Sequence, residues 1–130
     1  GGQIAAFTSP LGDYLPYLAS GRLRLLAVTG SARSRFAPDV ATYAEQGFPE
    51  LTMREWYGLF MAPRTPVAMA QRAHTAVRAA LTQKDVIDFG APLGLEAIGS
   101  PSLEDFTRTL KADAELWGSY VRRIGFTAES

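Results

Sequence analysis

The amino-acid sequence predicts an α/β fold with a mainly parallel sheet. Segments typical of strands alternate with segments typical of helices along the 130 residues. Residues 23–29 are apolar with almost no polar alternation, which is typical of a strand buried on both faces of a parallel sheet. A hydrophobic content of 47% is sufficient for a packed core and argues against disorder.

The first half of the chain has two predicted strands and two short predicted helices. Residues 3–8 form the first strand, and a turn then leads into a helix that runs to Ala19, with Ser9 or Asp13 as its cap. Residues 23–29 form the second strand. Thr42 and Glu45 have the spacing of a capping box, which starts a short helix.

The second half begins with a predicted strand over residues 55–61 and continues mainly as helix. Thr65 and Pro66 predict a helix start with a hydroxyl cap and proline at the first helical position. The apolar stripe of this helix has helical spacing and comprises Ala70, Ala73, Val77 and Leu81. A further helix is predicted at 85–91 and a short edge strand at 95–98.

The last predicted helix follows a second hydroxyl-then-proline start at Ser100 and Pro101 and stops at Gly125. Its apolar positions repeat every three or four residues and comprise Leu103, Phe106, Leu110, Trp117, Val121 and Ile124.

Composition and residue types argue against several classes of function. Thirteen basic residues balance thirteen acidic ones, which gives no general reason to expect nucleic-acid binding. The absence of cysteine excludes disulfides, zinc–thiolate sites and thiol nucleophiles. The single histidine, His74, lies in mid-helix without an acidic neighbour to orient it, so a structural role is favoured over catalysis. We therefore predict no enzyme activity, no metal and no cofactor.

The arginines of residues 22–35 form a basic run without acidic residues, and two interpretations stay open. Solvated surface beside a buried strand is favoured for charged side chains in general. The alternative is a docking patch for an acidic partner.

The predicted topology does indicate a ligand site. In open α/β sheets, ligands bind beyond the carboxyl ends of parallel strands and near helix N-termini. The first predicted strand ends at Thr8. The candidate ligand-binding residues at and beyond this end are Thr8, Ser9, Pro10, Gly12 and Asp13. Thr29, at the end of the second strand, is a further candidate. The alternative is that Ser9 and Asp13 only cap a helix.

Several motifs, in order, resemble one family. They are GQI at 2–4 with LPYL at 15–18, SGRLRLLAVT at 20–29, PDVATYAEQGFP at 38–49, EWYGLFMAP at 55–63 with Thr65-Pro66, and a tail with Gly94, Ser100-Pro101, Trp117 and Gly125. The chain resembles the Bug-type (TctC-like) receptors, which are the extracytoplasmic solute-binding components of tripartite tricarboxylate transporters.

The resemblance implies a two-lobed, type II periplasmic-binding-protein-like fold with the ligand between the lobes. It implies export to the periplasm, small carboxylates or related ligands such as amides, and delivery to the permease subunits of the transporter. Residues 1–53 would complete lobe 2, and residues 54–130 would form the crossover strand and the return to lobe 1. The family's glycine-rich, carboxylate-gripping loop is absent here, so the chain is expected to be the C-terminal part of a receptor.

The sequence departs from the family at the site. Alignment on Leu15 and Pro16 places Ser9 where many members carry aspartate, and Asp13 where many carry serine. This exchange changes which hydrogen bonds are offered to a ligand. Two other functions are less favoured, a ligand-sensing module for a signalling partner and a hydrolase that uses Ser9 with His74. A homodimer of this chain is a further hypothesis, because unpaired strand edges invite pairing with another chain.

Overall fold

The computed structural model describes residues 3–127. Gly2 of the GQI motif and the outer ends of the predicted segments 1–53 and 54–130 lie outside this range. The chain divides into two compact units. The first comprises residues 3–60 and Thr82–Ala97, and the second comprises Met61–Leu81 and residues 98–127.

Helices are the regular secondary structure of the described residues. The α-helices are α1 (Leu15–Leu18), α2 (Val67–Ala80), α3 (Lys84–Gly90) and α4 (Leu103–Arg123). Short 3-10 turns occupy Leu11–Asp13, Ala44–Gln46, Pro49–Leu51 and Ala91–Leu93. Among the described helices, none combines the length and the apolar character that crossing a bilayer would require.

Helix α2 has the predicted apolar face but not the predicted hydroxyl cap. The four stripe residues Ala70, Ala73, Val77 and Leu81 are all half-buried, whereas most of the rest of the helix is exposed. The Thr65 hydroxyl donates to the Ala62 carbonyl at 2.8 Å, and Pro66 holds the cap position without a side-chain hydrogen bond. The predicted cap was wrong because Thr65 belongs to the preceding turn.

Helix α4 begins two residues later than the sequence predicts. The Ser102 hydroxyl accepts a hydrogen bond from the Asp105 main-chain N–H at 3.0 Å and so forms the N-cap. Two residues of the predicted apolar stripe, Leu103 and Phe106, are half-buried. The remaining stripe residues are largely exposed, and they comprise Leu110, Trp117, Val121 and Ile124.

The predicted strands at 3–8, 23–29, 55–61 and 95–98 are not formed among residues 3–127. The pairing present there is one isolated parallel bridge between Val28 and Thr42. Within the described chain, the main-chain N–H groups of residues 23–27 have no main-chain acceptor. A strand forms only where its main-chain groups pair with a neighbouring extended segment, and the described residues supply no such neighbour to residues 23–27.

The expected burial of residues 23–29 on both faces is also not observed. Leu23, Leu25 and Ala27 are half-buried, whereas Arg24 is exposed and Leu26 retains 60% of its accessible surface. Exposure therefore alternates with the period of two that extended backbone produces. One face of this segment is packed and the other is uncovered.

The described chain buries few side chains. The residues classed as buried are Tyr14 (8% exposed), Ala37 (6%) and Thr42 (2%), all in the first unit.

Candidate functional site

The candidate ligand loop, residues 8–13, is held by a turn and an aromatic anchor. The Asp13 N–H donates to the Pro10 carbonyl at 3.0 Å, which closes the 3-10 turn Leu11–Asp13. Tyr14 is buried directly behind the loop, with its ring 5.1 Å from the Phe7 ring and its hydroxyl 3.4 Å from the Phe7 carbonyl oxygen. The loop is thus pinned at both ends, while Thr8, Pro10 and Asp13 are exposed.

Ser9 and Asp13 are brought together, and neither caps a helix. The Ser9 hydroxyl donates to the Asp13 carboxylate. The cap residues of the 3-10 turn and of α1 are Pro10 and Tyr14, and neither has a side-chain cap hydrogen bond. The interpretation of these two residues as helix caps was therefore wrong. They present a carboxylate and a hydroxyl oxygen at one exposed turn.

Gly12 has a packing role in addition to its place in the loop. A Cβ built on Gly12 would lie 2.2 Å from the Leu93 carbonyl oxygen, and one built on Gly94 would lie 2.9 Å from the Gly12 nitrogen. Contacts below 3.0 Å are not tolerated, so any other residue at position 12 would displace the main chain. The turn after α3 therefore fixes the position of the loop, a contact that no sequence pattern indicated.

Thr29 is not joined to the loop by a hydrogen bond in the described chain. Its carbonyl accepts from the Met53 N–H at 2.8 Å, which ties the end of segment 23–29 to the start of the next extended segment. Thr29 is half-buried. Its membership of the ligand site stays a prediction.

Glu55 and Tyr57, which no sequence pattern singled out, are linked to the loop electrostatically, because the charge of Asp13 is among the causes that raise the pKa of Tyr57. The Tyr57 hydroxyl donates to the Glu55 carboxylate at 3.2 Å. This hydrogen bond, together with the negative charges of Glu55 and Asp13, raises the pKa of Tyr57 above its ordinary value, although Tyr57 is 72% exposed. Residues 55 and 57 share one side of an extended segment because side chains alternate there, and that spacing was the available signal.

Ser9 and His74, the pair considered for a hydrolase, each have their own hydrogen-bond partner in the described residues. His74 Nε2 lies 3.0 Å from the Ser100 carbonyl oxygen, and the Ser9 hydroxyl is bonded to Asp13. No cluster of three or more histidine or carboxylate side chains within residues 3–127 is arranged to hold a metal ion.

Two of the four arginines in the basic run interact with other side chains of the fold. Arg33 pairs with Glu45 at 3.0 Å, and Arg35 stacks over the Phe36 ring with 4.6 Å to its centroid. In the described part of the chain, Arg22 and Arg24 make no ion pair. Half of the run is therefore used within the fold, which favours the interpretation as ordinary surface.

Comparison with known proteins identifies relatives along nearly the whole chain. Protein BugT of Bordetella pertussis is 32% identical over 127 residues, which cover 96% of this chain and 38% of BugT. A UPF0065 protein of Agrobacterium vitis, from the TAR-I ttuE-ttuC' intergenic region, is 25% identical and is covered to 37% of its length. A UPF0065 protein of Pseudomonas knackmussii, from the clcB-clcD intergenic region, is 26% identical and is covered to 69%.

The chain thus spans well under half the length of BugT and of the Agrobacterium protein. It also matches a family model described as "Tripartite tricarboxylate transporter family receptor" over residues 1–126. A match of this extent, with a relative above 30% identity over almost the same residues, confirms the predicted family. The chain belongs to the receptor family of the tripartite tricarboxylate transporters.

Proposed function

We propose that this chain works as part of a solute-binding receptor that captures a small polar or carboxylate-containing ligand between two lobes. The receptor then delivers the ligand, in the periplasm, to the permease subunits of a tripartite tricarboxylate transporter. The observation that carries the proposal is the family match over residues 1–126. No chemical step is involved, and ligand capture is coupled to lobe closure.

The proposal places one wall of the ligand site at the loop of residues 8–13, with Thr29 as a further contact. The exposed Asp13 carboxylate and the half-buried Ser9 hydroxyl oxygen supply acceptors, and the exposed Thr8 hydroxyl supplies both a donor and an acceptor. The buried Tyr14 behind the loop and the contact of Gly12 with Leu93 keep these groups in place. A fixed loop orders fewer groups when a ligand binds, which lowers the entropic cost of binding.

The division of the chain at residues 53 and 54 between the two lobes is part of the same proposal. The division rests on the family match. Wherever the boundary lies, the N–H groups of residues 23–27 lack main-chain partners within the described residues, and one face of that segment is uncovered. Strands from the remainder of a receptor would satisfy these groups. Neither the contacts of the described chain nor the comparisons support the homodimer, and it is not part of the proposal.

The test is ligand binding by a receptor polypeptide that contains this chain and has the length of BugT. A panel of carboxylates, amides and aromatic acids is screened by thermal shift and then by calorimetry. We expect at least one ligand to bind. Asp13→Asn should raise its Kd about 10- to 100-fold, because hydrogen bonds to charged groups contribute about 1.5–3 kcal/mol.

Asp39→Asn is the matched control, since Asp39 is an exposed aspartate outside the loop. Its Kd should equal that of the unmodified receptor. The proposal fails if no compound of the panel binds, and the placement of the site fails if Asp13→Asn behaves like Asp39→Asn.

A further inference from the structure

Two side chains one turn apart on α2 reach consecutive carbonyl groups of the segment that leads into α4. His74 Nε2 lies 3.0 Å from the Ser100 carbonyl oxygen. The Arg78 Nη1 donates to the Pro101 carbonyl oxygen at 2.9 Å. Residues four apart share one helix face, so both side chains point to the same segment. All four residues belong to the second unit.

The partner of His74 fixes which of its ring nitrogens carries a proton. A carbonyl oxygen only accepts hydrogen bonds, so Nε2 must be the donor. The Ser100 hydroxyl is also near Nε2, but at 3.4 Å it is the more distant partner. In the neutral ring, the proton therefore resides on Nε2 and Nδ1 keeps its lone pair.

The segment passes so close to α2 that a side chain at position 99 would be crowded. A Cβ built on Gly99 would lie 3.1 Å from Leu81 Cδ1 and 3.2 Å from Arg78 Cγ, which is tighter than ordinary contacts. The next residues, Ser100 and Pro101, present the two carbonyl groups. Ser102 then caps α4 through the Asp105 N–H.

We infer that His74 and Arg78 form a two-point latch that fixes the start of α4 on α2. The latch holds Ser100 and Pro101 by their carbonyl groups, and this places the Ser102 hydroxyl where it caps the helix. His74 and Pro101 also line an open cavity of about 400 Å³ that extends from Gln71 to Glu104. His74 is a positioning residue in this device, which assigns a role to the one histidine of the chain.

The first experiment needs no substitution. Nitrogen-15 chemical shifts of the His74 ring in the labelled chain distinguish the two neutral tautomers. We expect the pattern of a protonated Nε2 and an unprotonated Nδ1 at a pH where the ring is neutral. A protonated Nδ1 would overturn the latch, because Nε2 would then have no hydrogen to donate to Ser100.

The second experiment compares two amide replacements. His74→Gln puts an amide nitrogen close to the position of Nε2 and retains a donor, whereas His74→Asn puts it near the position of Nδ1. Hydrogen exchange of the Asp105 and Phe106 amides reports on the first turn of α4, since both donate to Ser102. We expect His74→Asn to speed this exchange about fivefold, the effect of losing one hydrogen bond, and His74→Gln to restore it.

Arg78→Met should speed exchange at the same two amides, and Arg72→Met is its control on the same helix, because Arg72 lines a different groove. Equal exchange in His74→Asn and the unmodified chain would contradict the latch. Equal acceleration by His74→Gln and His74→Asn would also contradict it, because a donor at the Nε2 position would then have no effect.

Discussion

Thr42 and Glu45 are joined by two reciprocal hydrogen bonds. The Thr42 N–H donates to the Glu45 carboxylate at 2.6 Å, and the Glu45 N–H donates to the Thr42 hydroxyl at 3.1 Å. Thr42 is 2% exposed and also forms the parallel bridge to Val28. The capping box therefore connects a 3-10 turn to an extended segment more than ten residues earlier in the chain.

Removing the Thr42 hydroxyl should destabilise the first unit. Thr42→Ala leaves the Glu45 N–H without its acceptor, and loss of such a cap costs about 1 kcal/mol. Thr42→Ser retains the hydroxyl and is the control, with a smaller loss from the missing methyl group. The measurement is the free energy of unfolding from urea denaturation. A Thr42→Ala variant as stable as Thr42→Ser would contradict the capping role.

The Glu45 carboxylate should make stability depend on pH in the acid range. The hydrogen bond from the Thr42 N–H, with help from Arg33, holds the pKa of Glu45 below its ordinary value of 4.5. A lowered folded-state pKa stabilises the protein above the unfolded-state pKa, and this contribution is lost as pH falls through the folded-state pKa.

We therefore expect the difference in stability between the unmodified chain and Glu45→Gln to be present at neutral pH and to shrink below about pH 4.5. Urea denaturation at a series of pH values measures it. Glu115→Gln, at an exposed position of α4, is the control for the loss of a surface carboxylate. A difference that does not vary with pH would mean that the charge of Glu45 is not the cause.

Local patterns predicted the helical parts of the structure well. The capping box of Thr42 and Glu45, the half-buried stripe of α2 and the helix at 84–90 all depend on residues close in sequence. The predicted family is also confirmed, and with it the periplasmic-binding-protein-like fold at the level of the family. Of the candidate site, the closeness of Ser9 and Asp13 is observed because a single turn joins them.

Features that depend on distant contacts were not predictable in the same way. The strand at 23–29 has the right residues, but its hydrogen bonds require neighbours that residues 3–127 do not provide. The contact of Gly12 with Leu93 and the effect of the Asp13 charge on Tyr57 join positions far apart in the chain. Period and propensity describe one segment at a time, so they could not indicate these pairs.

Hydrogen exchange should separate the paired and unpaired parts of the second predicted strand. The Val28 N–H donates to the Ala41 carbonyl at 3.1 Å, and the Tyr43 N–H donates to Val28 at 3.0 Å. We expect these two amides to exchange slowly in this chain and those of residues 23–27 to exchange rapidly. In a receptor polypeptide of BugT length, the amides of residues 23–27 should become protected from exchange. Protection of residues 23–27 in this chain alone would refute the unpaired edge.

Replacing Arg64 by glycine should not lower the stability of the protein. Its φ of +75° lies in the left-handed region, which costs a residue with a Cβ about 1–2 kcal/mol. Arg64→Gly removes that cost and adds back about 0.5–1 kcal/mol of chain entropy, so a stability equal to or slightly above that of the unmodified chain is expected. Arg64→Ala keeps the Cβ and separates the loss of charge from the relief of strain. Urea midpoints in which Arg64→Gly lies clearly below Arg64→Ala would contradict the strained turn.

The titration of Tyr57 tests the arrangement of the candidate site directly. The hydrogen bond to Glu55 is the main cause of its raised pKa, and the charges of Glu55 and Asp13 act in the same direction. A raised folded-state pKa means that the stabilisation is present below the unfolded-state pKa, about 10, and is lost as pH rises through the folded-state value. Phenolate absorbance follows this titration, with the other tyrosines replaced by phenylalanine where the fold allows.

Glu55→Gln should lower the Tyr57 pKa most of the way to its ordinary value. Asp13→Asn should lower it by less, because Asp13 acts by charge alone. Glu50→Gln, a change outside this group, should leave the titration where it is. If Asp13→Asn had no effect, the Asp13 carboxylate would not face Tyr57. Asp13 would then have to be removed from the candidate ligand site.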